Sequence, residues 1–327
     1  MEKPEIVSGI YLPNELSQSR IKRYLTCPRK YYYNDVLRVR DGRDSCGASL
    51  PMGTTFHEAC EVFHETIGKG FEPDIDVLMN QIDKSFRDNY NGIVAPSKLD
   101  NAREVHCDSS LGYDWRQVRT GTPMSQVPGS IERAIKNIQW WFQCYVDAWE
   151  RGDLNILKDI EIGCEVDYRR ELPHLGVVLR GKVDVAVKPT LLADWKTANA
   201  NKKWNWTKER ADGELQASYY AALMNEEEIE FAYVVIDKQV HPDFASGKKG
   251  PQKCDVKVIT TKRTQADIKE VMSVVEQFVI NTDIRNNHQD GFFHRTPDPM
   301  GDTFCDHFCD FKTRCYSDLK KERGEHD

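Results

Sequence analysis

Apolar positions recur along this chain in two rhythms. The helical rhythm is clearest after Ser130, where Ile131, Ala134, Ile135, Ile138, Phe142, Tyr145 and Trp149 fall three and four residues apart. That spacing lines one face of an amphipathic helix. Ser130 is the expected cap and Gly152 the expected stop. Trp140, Trp141 and Trp149 read as core side chains. Phe56, Ala59, Cys60 and Phe63 repeat the rhythm in a helix expected from Gly53 to Gly68 or Gly70. A further helix is expected near Ile75–Asn89, and another from about Thr207 to Asn225. Thr264 and Asp267 form a capping box that opens a last long helix. Residues 17–40 read as helix broken at Cys27-Pro28, with Ser17 or Ser19 as cap. The tyrosines at 31, 32 and 33 read as a half-buried helix face.

The alternating rhythm occupies the middle of the chain. Strands are expected over roughly Asp159–Arg169, Gly176–Val187 and Leu191–Lys196, then Phe231–Asp237 and Asp255–Thr261. The stretch Gly181–Lys196, GKVDVAVKPTLLADWK, reads as two strands around a Lys188-Pro189-Thr190 corner. Residues two apart in a strand share a face. Asp194 and Lys196 therefore stand side by side, while Leu191, Ala193 and Trp195 face a core. Residues 90–129 show no period and read as an insertion or a loop over the site. The cysteine-rich tail from Arg295 to Asp318 reads as loop. The order of elements predicts one mixed α/β domain over residues 1–327. Within it are N-terminal helices at 17–65, a helical insertion at 71–152, a core at 159–261, and a C-terminal helix with a cysteine cluster at 262–327.

Composition narrows the class. The chain has 327 residues, 39% hydrophobic and 30% charged, which is ordinary for a globular protein with a large core. No apolar run reaches bilayer-spanning length, and the N-terminus carries no signal pattern. A cytoplasmic protein without a membrane partner is expected. The net charge of −7 argues mildly against a nucleic-acid binder. The distribution argues the other way: residues 1–43 hold nine lysines and arginines against five acids. Lys202, Lys203, Lys208 and Arg210 come after the central hairpin, with Trp204 and Trp206 among them. They offer charge and stacking to a single strand, unless the tryptophans fold inward.

The hairpin carries the strongest chemical signal. Two carboxylates and a lysine converging across it suit a hard divalent cation and a phosphodiester. The alternative is a solvated face with an Asp194–Lys196 salt bridge. His57, Glu61 and His64 share a helix face, and a helical zinc site there is a further alternative. Six of the ten cysteines are scattered singly. Cys305, Cys309 and Cys315 are too dense for chance burial in a polar loop and point to a metal group.

Taken together, these motifs resemble the RecB-like iron–sulfur branch of the PD-(D/E)XK nuclease superfamily, which includes CRISPR-associated RecB-like exonucleases and AddB-type nuclease domains. Five features match in order: Tyr24–Tyr33 around Cys27-Pro28, Gly53-x-x-x-His57, Gly181-Lys-Val-Asp184 with Asp194-Trp-Lys196, Gln216-x-x-x-Tyr220, and the C-terminal cysteines. The resemblance implies a restriction-endonuclease-like fold, a central mixed sheet flanked by helices. It implies a metal-dependent DNA exonuclease acting on single strands or ends in recombination, repair, phage DNA processing or CRISPR adaptation. Asp184, Asp194, the Trp195 carbonyl and His57 would hold Mg²⁺ or Mn²⁺, with Glu165 as a supporting acid. Lys196 would serve the water, and Gln216 and Tyr220 would orient the lysine or the DNA. Cys27, Cys305, Cys309 and Cys315 would hold a [4Fe–4S] cluster stapling the chain ends. A structural Zn²⁺ with His307 as spare ligand is the alternative. A catalytically silent DNA-binding or scaffold subunit is the alternative from another class. The sequence names no partner protein.

Overall fold

Strand-forming runs that are apolar at nearly every position can be buried on both faces. Here they build the centre of the molecule. The computed structural model describes residues 5–6, 14–37, 45–94, 104–114, 118–198, 206–244, 254–282, 309 and 311–322. Lys202, Lys203, Trp204, Cys305 and His307 lie outside these residues. The main sheet has seven strands: β1 (Glu5–Ile6), β2 (Glu15–Leu16), β5 (Gly163–Leu172), β6 (Val177–Lys188), β7 (Leu191–Ala198), β8 (Glu228–Asp237) and β9 (Val256–Thr264). They lie in the order β1-β5-β6-β7-β8-β9, with β2 beside β6. Strands β7 and β8 are parallel, as is the β2–β6 pair, and the other neighbours are antiparallel. This is a mixed α/β architecture, a central mixed sheet flanked by helices.

Alternation along the strands feeds two cores. On one face, Leu191, Ala193 and Trp195 of β7 and Ala232, Val234 and Ile236 of β8 pack with α3 (Ser49–Gly68), α4 (Ile75–Val94) and α5 (Ser130–Arg151). On the other, Leu192 of β7 and Phe231, Tyr233 and Val235 of β8 pack with α1 (Gln18–Thr26), α7 (Leu215–Met224) and α8 (Gln265–Thr282). Fully burying each large side chain contributes roughly 1.5–3 kcal/mol.

Several boundaries match expectation. Ser17 caps α1 through Arg20 N–H, and Gly152 ends α5 in the left-handed region at φ 82°. Asp267 accepts from Thr264 N–H at 2.8 Å, one half of the capping box. Other boundaries differ. The cap of α5 is Gly129 rather than Ser130, whose hydroxyl instead donates to the Met124 carbonyl. The single helix expected after Thr207 is two, α6 (Lys208–Gly213) and α7, because Gly213 and the extended Glu214 interrupt it. The tail expected as loop contains a helix, Lys312–Glu322. The unperiodic stretch contains β4 (Glu104–His106), which pairs with β3 (Ser45–Gly47). Two short 3₁₀ turns come next, and Arg133 of α5 donates to the carbonyls of Leu111, Gly112 and Phe244. Elements held this way carry no hydrophobic period to read. No described helix is long and apolar enough to cross a membrane.

Candidate metal centre

The β6–β7 hairpin opens where its acids lie. The two strands pair only at Val185↔Ala193, Ala186↔Leu192 and Lys188↔Leu191. Nearer its start, β6 pairs with β2 instead, at Val178 and Leu179. At the fork, Asp184 Oδ2 accepts from Trp195 N–H at 3.0 Å, so a side chain satisfies a donor that a neighbouring strand would otherwise take. On the other flank, the β5–β6 ladder pairs Cys164 with Val185 and Val166 with Val183. Between them Glu165 faces Asp184 with φ at 52°. A non-glycine residue there costs about 1–3 kcal/mol, a strain concentrated at the fork.

Helix α3 completes the cluster. His57 Nδ1 lies 3.2 Å from Asp184 Oδ2. Ligand atoms of His57, Glu165 and Asp184 all lie within 4.8 Å of one another. Lys182 pairs with Glu165 and holds its carboxylate beside the group. Burial works against a charged His57, but the hydrogen bond and charge of Asp184 outweigh it and raise its pKa.

Asp194 sits deeper, 3% exposed. Gln216 Nε2 donates to its Oδ1 at 2.5 Å, and Lys196 Nζ lies 2.5 Å from its Oδ2. That second contact is an ion pair by distance, with no hydrogen bond aligned on Oδ2. Burial first, then the charge of Asp184, pushes the Asp194 carboxyl up to about 6, against the pull of Lys196. Burial also opposes the Lys196 ammonium, yet Asp194 holds its proton on. Oxygen donors with one imidazole fit a hard divalent cation.

Tyr220 serves the strand rather than the acids. Its hydroxyl donates to the Lys182 carbonyl at 2.6 Å, and its ring lies against Gly181. A Cβ at Gly181 would come within 2.5 Å of that ring. Trp195 turns its indole into the opposite core, where Nε1 donates to Tyr145 at 3.1 Å. His64 Nε2 lies 2.5 Å from the same Tyr145 hydroxyl, and its ring stacks on Trp195. The helical zinc alternative therefore fails for a physical reason: His57 meets Asp184 at the fork, while two turns of helix carry His64 away from the acids into the core. Periodicity placed Tyr145 on a core face but gave no sign of what its hydroxyl binds. The Tyr219 hydroxyl likewise bridges the carbonyls of Leu16 and Arg180 in the sheet. Nothing in the local sequence marks either hydroxyl.

Trp206 takes the inward-folded alternative. It is 7% exposed and packs on Tyr233 at 4.4 Å. Cys27 is buried between α1 and α2 (Pro28–Tyr31). Of the four expected cluster ligands, Cys27, Cys309 and Cys315 lie among the described residues, Cys315 on the helix Lys312–Glu322. The helix Lys312–Glu322 reaches the N-terminal segment, where Tyr33 donates to Asp318 at 2.7 Å and stacks near Phe311 at 5.5 Å.

The Gene 69 protein of Mycobacterium phage L5 is 24% identical over 316 residues, covering 89% of this chain and 93% of that protein. A crystal structure named "Putative exonuclease" from Eubacterium rectale superimposes with a TM-score of 0.46 at 13% identity, over 86% of this chain and 90% of the other. Residues 15–316, from β2 into the first turn of the last helix, match the family description of the PD-(D/E)XK nucleases. With that match spanning the forked hairpin and every element that frames it, the chain belongs to the PD-(D/E)XK nuclease superfamily, whose members are divalent-metal-dependent nucleases.

Proposed function

We propose that this nuclease is a DNA exonuclease acting on single strands or DNA ends, and that the forked hairpin is its catalytic centre. The observation that carries the reading is the convergence of Asp184, Asp194 and Lys196 at the fork, with His57 and Glu165 beside them. In this assignment His57, Asp184, Asp194 and the Trp195 carbonyl hold Mg²⁺ or Mn²⁺, with Glu165 supporting. Bound there, a divalent cation lowers the pKa of an attacking water and neutralises charge on the phosphate. The residues do the rest. Asp184 locks the Trp195 peptide and the two strands in register. Gln216 fixes one oxygen of Asp194. Lys196, kept protonated by Asp194, positions the water and offers charge to the phosphate. Tyr220 holds the β6 backbone at Lys182 and acts through position.

The test is a time course on single- and double-stranded DNA labelled at either end, with Mg²⁺ or Mn²⁺. Asp184→Ala and Lys196→Ala should each lose at least about a hundredfold in rate. Degradation equal to wild type by either variant would sink the assignment, and cuts at internal positions from the first time point would make the enzyme an endonuclease.

We also infer that Cys27, Cys305, Cys309 and Cys315 hold a [4Fe–4S] cluster that ties the chain ends together. Its support is the docking of the C-terminal helix on Tyr33, six residues beyond Cys27. Phosphodiester hydrolysis transfers no electron, so the role assigned to the cluster is structural.

A further inference from the structure

Beside the forked hairpin lies a cleft of about 710 Å³ that the assignments above leave unused except at its inner end. One wall comes from α1 and α2, with Lys22, Arg23 and Lys30. The other comes from α6 and the turn into α7, with Arg210 and Glu214. Lys196, Gln216 and Trp206 close the inner end, so the cleft opens directly onto the residues that hold Asp194. Among the described residues its lining carries five cations and a single acid, in a chain whose net charge is −7.

The acid is the informative residue. Glu214 sits between the walls. Lys22 Nζ donates to its Oε2 at 3.0 Å from across the cleft, and Arg210 Nε lies 3.8 Å from its Oε1. Its carboxylate is 17% exposed, whereas Lys22 is 54% exposed. The lysine can therefore swing to another anion at little cost, since exposed pairs of this kind contribute about 0–1 kcal/mol. Arg210 is held in place by a different surface: its guanidinium lies 4.5 Å from the centre of the Trp206 ring. Trp206, packed on Tyr233, is a buried shelf for that cation and leaves no face for a base. Among the described residues the cleft presents charge without an aromatic platform, chemistry that recognises phosphate and not base identity.

We propose that the cleft is the track for the sugar–phosphate backbone of single-stranded nucleic acid leading to the scissile bond, and that Glu214 is its built-in stand-in anion. Lys22 and Arg210 exchange the Glu214 carboxylate for a strand phosphate as the strand enters, while Trp206 keeps Arg210 aimed at the track. The internal anion weakens loose binding to any polyanion and confines tight binding to a strand that reaches Lys196. This rests on the nuclease reading of the hairpin. The volume matches a site for one strand, being within the range of small-ligand pockets.

Fluorescence anisotropy of labelled oligo(dT) on the full chain in EDTA tests this without any cleavage. Glu214→Gln should bind about fivefold tighter than wild type, the worth of one exposed ion pair removed. Lys22→Ala and Arg210→Ala should bind several-fold more weakly, each lowering the salt slope of log K by about 0.7. Trp206→Phe should lower affinity as Arg210→Ala does. Oligo(rU) should bind within a few-fold of oligo(dT), and a blunt duplex should compete poorly. Melting curves confirm that each variant is folded. Unchanged or weaker binding by folded Glu214→Gln, an unchanged salt slope in Lys22→Ala, or equal competition by duplex would each overturn the proposal. Binding as described with no cleavage under Mg²⁺ or Mn²⁺ would instead uphold the track and refute the nuclease assignment. Cleavage lost in Asp184→Ala with binding unmoved by Lys22→Ala and Arg210→Ala would do the reverse.

Discussion

His57 and His64 lie two turns apart on one helix and answer to opposite environments. His57 is beside carboxylates and is shifted up. His64 is buried, and desolvation alone brings it down to about 4. A histidine titrates near 6.5 in the unfolded chain. Between about pH 4 and 6.5 the unfolded state therefore binds more protons at His64, and stability rises with pH. The His64 contribution is complete above about 6.5 and drains away as acid is added, the loss reaching about 3 kcal/mol at the bottom of the window. Urea unfolding at pH 7.5 and pH 5 should show the loss in wild type and a loss smaller by about 2 kcal/mol in His64→Gln. Equal losses in both would mean that His64 is not held neutral in the core. This distinction was only half legible in the chain. The i, i+7 spacing put both histidines on one side of α3, but which core Tyr145 and Trp195 fill is a tertiary fact.

At the scale of elements, the hairpin depends on a contact that leaves no mark in its own periodicity. Gly181 opens the acidic motif because the Tyr220 ring from α7 occupies the space a side chain needs. That ring is pinned by stacking on Phe231 at 5.8 Å and by its bond to the Lys182 carbonyl, so it has little room to yield. Gly181→Ala should cost about 1–3 kcal/mol, the usual penalty of overpacking. It should also lower nuclease activity in protein that is still folded, since β6 carries Asp184 three residues on. Thermal melts and the end-labelled DNA assay measure the two effects separately. Wild-type stability together with wild-type activity would refute the coupling. Proline at 189 and the alternation in β7 made the hairpin readable. The fork did not show in either strand alone, because it arises where β2 and β7 compete for the same edge of β6.

Across the whole molecule, the N-terminal helical segment at Tyr33 meets the C-terminal helix. Phe311 is 2% exposed and packs against Tyr33, and Arg314 lies over the same ring at 5.6 Å. Removing a buried phenylalanine usually costs about 3–5 kcal/mol. Phe311→Ala should lower the melting temperature of the entire domain in one transition. A separate early transition of the C-terminal helix would show that the ends are not part of the same cooperative unit. The proposed cluster makes a parallel prediction. Purified protein should be brown, and Cys315→Ser should lose colour and stability together. A colourless wild type with one zinc per chain would replace iron–sulfur by zinc. A separate buried network holds β2, a two-residue strand, beside β6: Glu15 pairs with buried Arg180 at 3.0 Å, and Arg180 in turn holds Asp167.

The sequence alone determined the features that local rules govern. Amphipathic spacing placed the helices, alternation placed β7 and its acid–lysine pair, and proline placed the corner. Each depends on neighbours within a few residues, whose geometry is fixed by the backbone period. Only the tertiary structure decided which polar groups meet. Glu165 was a loose candidate until the β5–β6 register set it opposite Asp184 with a left-handed backbone. Trp206 could face solvent or core until Tyr233 on β8 claimed one face and Arg210 the other. Glu214 falls inside the single helix expected from Thr207 to Asn225, and only the fold brings Lys22, 192 positions away, to it across the cleft. Such pairings depend on how the sheet stacks residues far apart in the chain, and no local pattern encodes that distance.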